Sequence, residues 1–196
     1  MTSKVFIFIG RSGVVKGTQA TYLKEYLEKK DTSAKTLYFV SGDGLREFLK
    51  EPSYTAGLAK KIYDAGGLFP EFLVIYNWSR YFISNITGNE HLILDGTPRK
   101  VHEAAMLDTA LEFYGKKDVS IVWMHGSREW STKLLLGRGR SDDTPDNITR
   151  RLDWYEDDVA ATIEYYKKHG THTLVEINAE QARPDVHAEI VRKLGI

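Results

Sequence analysis

The sequence predicts an α/β fold in which a five-stranded parallel sheet is covered by helices on both faces. Three observations lead there. Short, nearly continuous apolar runs alternate with longer amphipathic stretches along the 196 residues. Near-continuous apolarity marks strands buried on both faces, as parallel strands are. The first run feeds a glycine-containing loop and then a helix, and alternation of this kind implies right-handed crossovers.

Taken in order, Val5-Phe6-Ile7-Phe8-Ile9 anchors a strand over 4–9, and a helix comes next over about 17–29. Thr-Leu-Tyr-Phe-Val predicts the strand 36–40. Residues 41–70 look like an insertion carrying helices over about 43–50 and 54–65, and a helix over about 70–87 comes after it. His-Leu-Ile-Leu-Asp gives the strand 91–95, ending on Asp95, with a helix over about 100–114. Val-Ser-Ile-Val-Trp-Met gives 119–124, then a helix over about 128–136. The Gly/Arg/Asp-rich patch 137–147 is a second insertion, where Thr144-Pro145 suits the N-cap and first position of a helix over 145–169. A strand over 173–177 and a helix over 179–194 complete the chain. Ligands of such sheets gather at the carboxyl ends of the strands. The loop after strand one and Asp95 both fall on that edge.

The loop reads Gly10-Arg11-Ser12-Gly13-Val14-Val15-Lys16-Gly17-Thr18-Gln19. A helix N-terminus offers unpaired N–H groups and a positive dipole end, which attract phosphate. Lys16 would reach the outer phosphates of a nucleotide, and the Thr18 hydroxyl or a neighbour would help hold its magnesium. The usual motif has glycine immediately before the lysine, where this chain has Val15. On the loop alone, an ordinary strand–turn–helix is an equal reading.

Lys+Arg and Asp+Glu both number 27, so the net charge is zero. That argues against a general nucleic-acid or anionic-membrane binder. Without cysteine there is no disulfide, thiol nucleophile or cysteine zinc site. No signal peptide or run of transmembrane length is evident, which leads to the expectation of a soluble cytoplasmic protein. The Asn-x-Ser/Thr matches at Asn85 and Asn147 are then chance. No histidine pair has a metal spacing. Trp78, Trp123, Trp130 and Trp154 read as packing.

Four linked motifs resemble the adenylate kinase family and its nucleoside monophosphate kinase relatives, over nearly the whole chain. They are Lys16-Gly17-Thr18-Gln19, Ser41-Gly42-Asp43-Gly44-Leu45-Arg46, Leu94-Asp95-Gly96-Thr97-Pro98-Arg99, and Gly137-Arg138-Gly139-Arg140-Ser141-Asp142-Asp143 with Ile148-Thr149-Arg150-Arg151-Leu152 after it. The resemblance implies a P-loop NTPase three-layer α/β/α fold forming one nucleotide-kinase domain over 1–196. It also implies a nucleoside-monophosphate-binding insertion at about 41–70 and a short, zinc-free lid at about 133–147.

The family further implies Mg-dependent, reversible phosphoryl transfer from ATP to AMP, giving two ADP, by a monomer. Gly13, Val15, Lys16, Gly17 and Thr18 would cradle the ATP phosphates, joined by Arg138. Arg46 and Arg99 would hold the AMP phosphate, while Ser41, Leu68, Gly96 and Glu103 fall in its base and sugar site. Arg140 and Arg151 would gather the transferring group, Asp95 would hold Mg²⁺, and Asp142 and Asp143 would orient the lid arginines. Lys16, Arg99, Arg138, Arg140 and Arg151 make up the implied catalytic set. Arg150 reads as a surface ion-pair residue.

The chain departs from the family at Val15, at Leu134 (usually an arginine packing over the ATP base), at Glu103 (usually a glutamine reading the AMP base) and at Phe69-Pro70. These departures leave two alternatives open. One is a CMP or UMP kinase. The other is a nucleotide-binding protein of the same fold whose turnover is impaired by Val15.

Overall fold

Alternate residues of the first strand face two different cores. Val5, Ile7 and Ile9 pack with Phe39, Leu94 and Ile121 on one side, whereas Phe6 and Phe8 pack with Ile93, Val122 and Val175 on the other. A strand whose neighbouring side chains are all apolar and all buried belongs in the middle of a sheet covered on both faces. In the computed structural model, which describes residues 3–140 and 142–196, that is its position. The strands are β1 (Lys4–Gly10), β2 (Thr36–Val40), β3 (His91–Asp95), β4 (Asp118–His125) and β5 (Thr173–Asn178). All pair in parallel, in the order β2-β3-β1-β4-β5. Each lies within one residue of its expected span.

The helices are α1 (Lys16–Lys30), α2 (Ser41–Phe48), α3 (Tyr54–Asp64), α4 (Glu71–Asn85), α5 (Val101–Phe113), α6 (Arg128–Arg138), α7 (Pro145–Trp154), α8 (Ala160–His169) and α9 (Arg183–Leu194). Leu23 and Leu27 of α1 and Val186 and Ile190 of α9 fill one core. Trp78 and Phe82 of α4, Leu107 and Leu111 of α5, and Ile163 and Tyr166 of α8 fill the other. Leu135, Ile148 and Leu152 join α6 to α7 in a small third core. No helix among the described residues is long and apolar enough to cross a membrane.

Three helix boundaries differ from expectation. The stretch 145–169 is not one α-helix, because a π-helical turn, Tyr155–Val159, separates α7 from α8. A π turn inserts one residue and rotates the next helical segment about the axis. Here it divides one apolar stripe between two cores: Ile148 and Leu152 face α6, while Val159, Ile163 and Tyr166 face the sheet. The last helix begins at Arg183, four residues later than 179, with Pro184 in its first turn. Before it, the Asn178 carboxamide accepts from the Glu180 N–H, and Gln181 donates to the Asn178 carbonyl, closing a turn of their own. In contrast, α2 starts early, at Ser41, directly from β2.

Candidate active site at the carboxyl edge of the sheet

β1 ends at Gly10, where only glycine fits. Its φ is +154°, and a Cβ there would lie 2.1 Å from the Met124 carbonyl oxygen of the neighbouring strand. The chain then turns into α1 through Val15, at φ 54° and ψ 26°. Val15 is the one non-glycine residue at positive φ among those described. A β-branched residue resists this left-handed region, at a cost of about 1–3 kcal/mol. Val15 also provides no side-chain cap, so the first amides of α1 are left for a ligand.

Behind them, Lys16 Nζ donates to the Gly10 and Arg11 carbonyls, at 2.8 Å each. Loss of surrounding water lowers the Lys16 pKa to about 8, against the opposing pull of Asp95, with Arg99 and Arg138 adding repulsion. Arg11 is fixed from the other side. It pairs with Glu156 at 2.7 Å and lies 4.4 Å from the centre of the Tyr155 ring, so the π-helical turn braces the loop.

Asp95 closes β3 level with Val40 of β2 and Phe8 of β1. It is buried, and burial raises its pKa against the opposing charges of Lys16 and Arg99. Its Oδ2 accepts a long hydrogen bond from Tyr38 Oη, at 3.4 Å. A Cβ placed on Gly17 would lie 3.2 Å from the same oxygen, so the carboxylate stands directly against the start of α1. A buried carboxylate beside a phosphate loop fits a magnesium ion. No group of three or more His, Cys, Asp or Glu that could hold a metal ion is gathered among the described residues.

Arginines surround these groups. Arg99 Nε donates to the Gly96 carbonyl at 3.0 Å; desolvation lowers its pKa, while Glu103 and Asp95 work the other way. Arg46 pairs with Asp43. Arg138, at the end of α6, forks onto Asp143, with Nε at 2.8 Å and Nη2 at 2.7 Å. Arg151 of α7 reaches Asp143 at 2.8 Å and the Asp142 carboxylate at 3.0 Å. Burial alone would raise the Asp143 pKa; hydrogen bonds and charge from Arg138 and Arg151 outweigh it and hold the group below its ordinary value.

A depressed carboxylate stabilises the fold above the unfolded pKa, and that stability is lost as pH falls through the folded value. Asp143→Asn should therefore cost about 1–3 kcal/mol at neutral pH. The difference from wild type should shrink below the ordinary value of 3.8, read by denaturant unfolding across pH 2–7.

The cleft over this edge has a volume of about 890 Å³. Of the residues singled out from sequence, Gly13, Val15, Lys16, Gly17, Thr18, Arg46, Leu68, Asp95, Gly96, Arg99, Arg138, Arg140, Asp142 and Arg151 line it. Arg140 is exposed at its rim. Three others are set back. Ser41 is buried, its carbonyl accepting from Asn77. Asp143 contributes through the two arginines it holds. Glu103 is 2% exposed and turned to the start of its own helix, where Oε2 accepts the Arg99 N–H at 2.7 Å. Ser141 lies outside the described residues.

The structure brings Tyr63 and Trp154 to the cleft, which sequence patterns do not single out for it, and places Phe69 and Leu134 there as well. The rings of Tyr63 and Phe69 stack at 6.2 Å on the cleft wall. Trp154, which reads as packing, lines both the cleft and an inner recess beneath Arg99 and Arg151. Leu134 presents an aliphatic chain to the cleft. Leu134→Arg should tighten ATP binding about two- to fivefold through contact of guanidinium with base, measured by calorimetry with a non-hydrolysable analogue.

A five-stranded parallel sheet, a lysine-bearing loop after its first strand, a carboxylate on the adjacent strand and arginines lining one cleft fit the class of P-loop nucleotide kinases. The profile of the family described as adenylate kinase matches residues 8–171. Adenylate kinase 1 of Nostoc sp. is 35% identical over 189 residues, covering 96% of this chain and 97% of the relative. Adenylate kinases of Mycobacterium tuberculosis and Oenococcus oeni are 32% and 29% identical over 189 and 180 residues, covering 96% and 91% of this chain and 98% and 92% of theirs. The chain belongs to the adenylate kinase family, and its activity is that of an ATP:AMP phosphotransferase.

Proposed function

We propose that this cleft holds ATP and AMP together and that Lys16 and the arginines perform the transfer by charge neutralisation and alignment. The observation that carries this reading is the convergence of Lys16, Asp95, Arg99, Arg138 and Arg151 on one cleft at the carboxyl edge of the sheet. The amides opening α1 and the Lys16 ammonium cradle the ATP phosphates. Arg46 and Arg99 hold the AMP phosphate. Arg138, Arg140 and Arg151 gather the γ-phosphoryl group, their guanidinium forks matching its oxygens.

An AMP phosphate oxygen attacks the γ-phosphorus in line, and the bond to the β–γ bridging oxygen breaks. The electron pair leaves on ADP, and no covalent phospho-enzyme forms. Asp95 would hold Mg²⁺, which would supply charge neutralisation to the phosphates. Asp142 and Asp143 hold the arginines ready before substrate arrives. Segments 41–70 and 133–147 act as acceptor lobe and lid, closing to exclude water.

The acceptor is AMP. The case for CMP or UMP rests on Glu103 and Phe69, and the Glu103 carboxylate is engaged by a backbone N–H away from the cleft. A silent binder is not favoured either, since family membership supports turnover and Lys16 stands in place behind Val15. We further read the protein as a cytoplasmic monomer that binds neither nucleic acid nor membrane, in keeping with its zero net charge. Incubation with Mg-ATP and AMP, then ³¹P NMR, tests the reaction. Two ADP per AMP consumed are expected, with ATP stable when AMP is withheld. Release of inorganic phosphate instead would contradict the reading.

A further inference from the structure

Arg150 sits on the exposed face of α7, one residue from Arg151 of the cleft. From sequence it is a surface charge. In the structure its Nη1 donates to the carbonyl of Ala65, the residue that caps the carboxyl end of α3. Carbonyls at a helix end lack intrahelical partners and carry negative dipole charge, so a guanidinium suits them.

Two further contacts lie beside this one. Gly66 has φ +70°, a conformation that side-chain-bearing residues rarely adopt, and a Cβ there would lie 2.4 Å from Asn147 Oδ1 and 3.1 Å from Arg150 Nη1, so the two segments are in close contact. Tyr63, stacked on Phe69, donates its hydroxyl to Asp142 Oδ2 at 3.4 Å. On the far side of this seam Asp142 holds Arg151. Arg151 shares Asp143 with Arg138. A continuous set of polar contacts thus runs from segment 63–66 to the two arginines of the cleft.

We propose that Arg150 is a positioning residue for the transfer: with Tyr63 and Gly66 it fastens the acceptor lobe to α7, so that filling the acceptor site sets Arg151 and Arg138 for the donor phosphates. The proposal rests on the reading that the cleft holds both nucleotides. It gives Arg150 a part in coupling two ligands that it does not itself touch. Such coupling is reciprocal, a factor of about 5–150 in affinity in typical cases.

The test is the AMP dissociation constant, by calorimetry, with and without a saturating non-hydrolysable ATP analogue. The ratio of the two is measured for wild type, Arg150→Ala and Arg150→Lys, together with kcat and KM. Wild type should show AMP tightening about tenfold with the analogue. Arg150→Ala should bring the ratio close to one and lower kcat more than it raises KM for AMP. Arg150→Lys should recover most of the ratio, since an ammonium also donates to a carbonyl. Arg150 is exposed, so truncation leaves the core intact. An unchanged ratio and kcat in Arg150→Ala would overturn the proposal, as would wild type binding both nucleotides independently. Failure of wild type to bind either nucleotide would instead overturn the two-substrate reading, and this proposal with it.

Discussion

Lys16→Met is expected to lower kcat/KM for ATP by about 10²–10³-fold, the loss typical of removing one preorganised charge-stabilising donor. The variant should fold at least as well as wild type. Two of the donors on Lys16 Nζ are held by the Gly10 and Arg11 carbonyls, and the third is free for phosphate. Holding the ammonium out of water is a cost that methionine does not carry, which separates lost function from lost fold. The titration of Lys16 near pH 8 gives a second signature. Because kcat/KM reports the free enzyme, its value for ATP should fall about tenfold per pH unit above about 8.

Stability should move in the opposite direction. With the Lys16 pKa depressed in the fold, the unfolded chain binds the proton more tightly between about 8 and 10.5. Stability conferred through this group therefore rises with pH across that window. Both trends should vanish in Lys16→Met. Activity flat to pH 10 in wild type would show that the Lys16 ammonium is not depressed in the working enzyme, while unchanged kcat/KM in Lys16→Met would remove Lys16 from the phosphate site.

Val15→Gly is expected to raise kcat/KM for ATP about tenfold and to stabilise the fold by about 1 kcal/mol. The second figure is the relief of about 1–3 kcal/mol of left-handed strain less the roughly 0.5–1 kcal/mol entropy cost of glycine. Val15 lines the cleft directly before the first amides of α1, so on the proposed reading its removal opens the approach of phosphate to them. Steady-state kinetics and urea unfolding of the one variant check both parts. A gain in stability without a gain in rate would show that the backbone, and not the valine side chain, sets phosphate access.

How far the sequence is legible depends on the range of the interactions. The five strands are local apolar runs, readable to within a residue. The loop 10–19 and the Leu94–Arg99 segment are local patterns too, and Lys16, Asp95 and Arg99 from them line one cleft. The π-helical turn at Tyr155–Val159 is not, because Ile148, Leu152, Val159, Ile163 and Tyr166 keep the spacing of an unbroken helix. Glu103 stands where the resemblance implies a base-reading glutamine, and in the structure the Arg99 N–H just before α5 claims its carboxylate. Trp154 reads as packing because nothing in its neighbours signals a cleft wall. The Arg150–Ala65 contact spans 85 residues, and no spacing rule reaches that far.

The most direct measurement is the initial rate of nucleoside diphosphate formation from Mg-ATP with AMP, CMP, UMP and GMP, each as sole acceptor. ADP formation with AMP is expected at a kcat/KM well above that of the other three, because membership of the adenylate kinase family supports it and the Glu103 carboxylate is buried against the Arg99 N–H. Faster turnover with a pyrimidine, or no turnover with any acceptor, would contradict an ATP:AMP phosphotransferase built on this cleft.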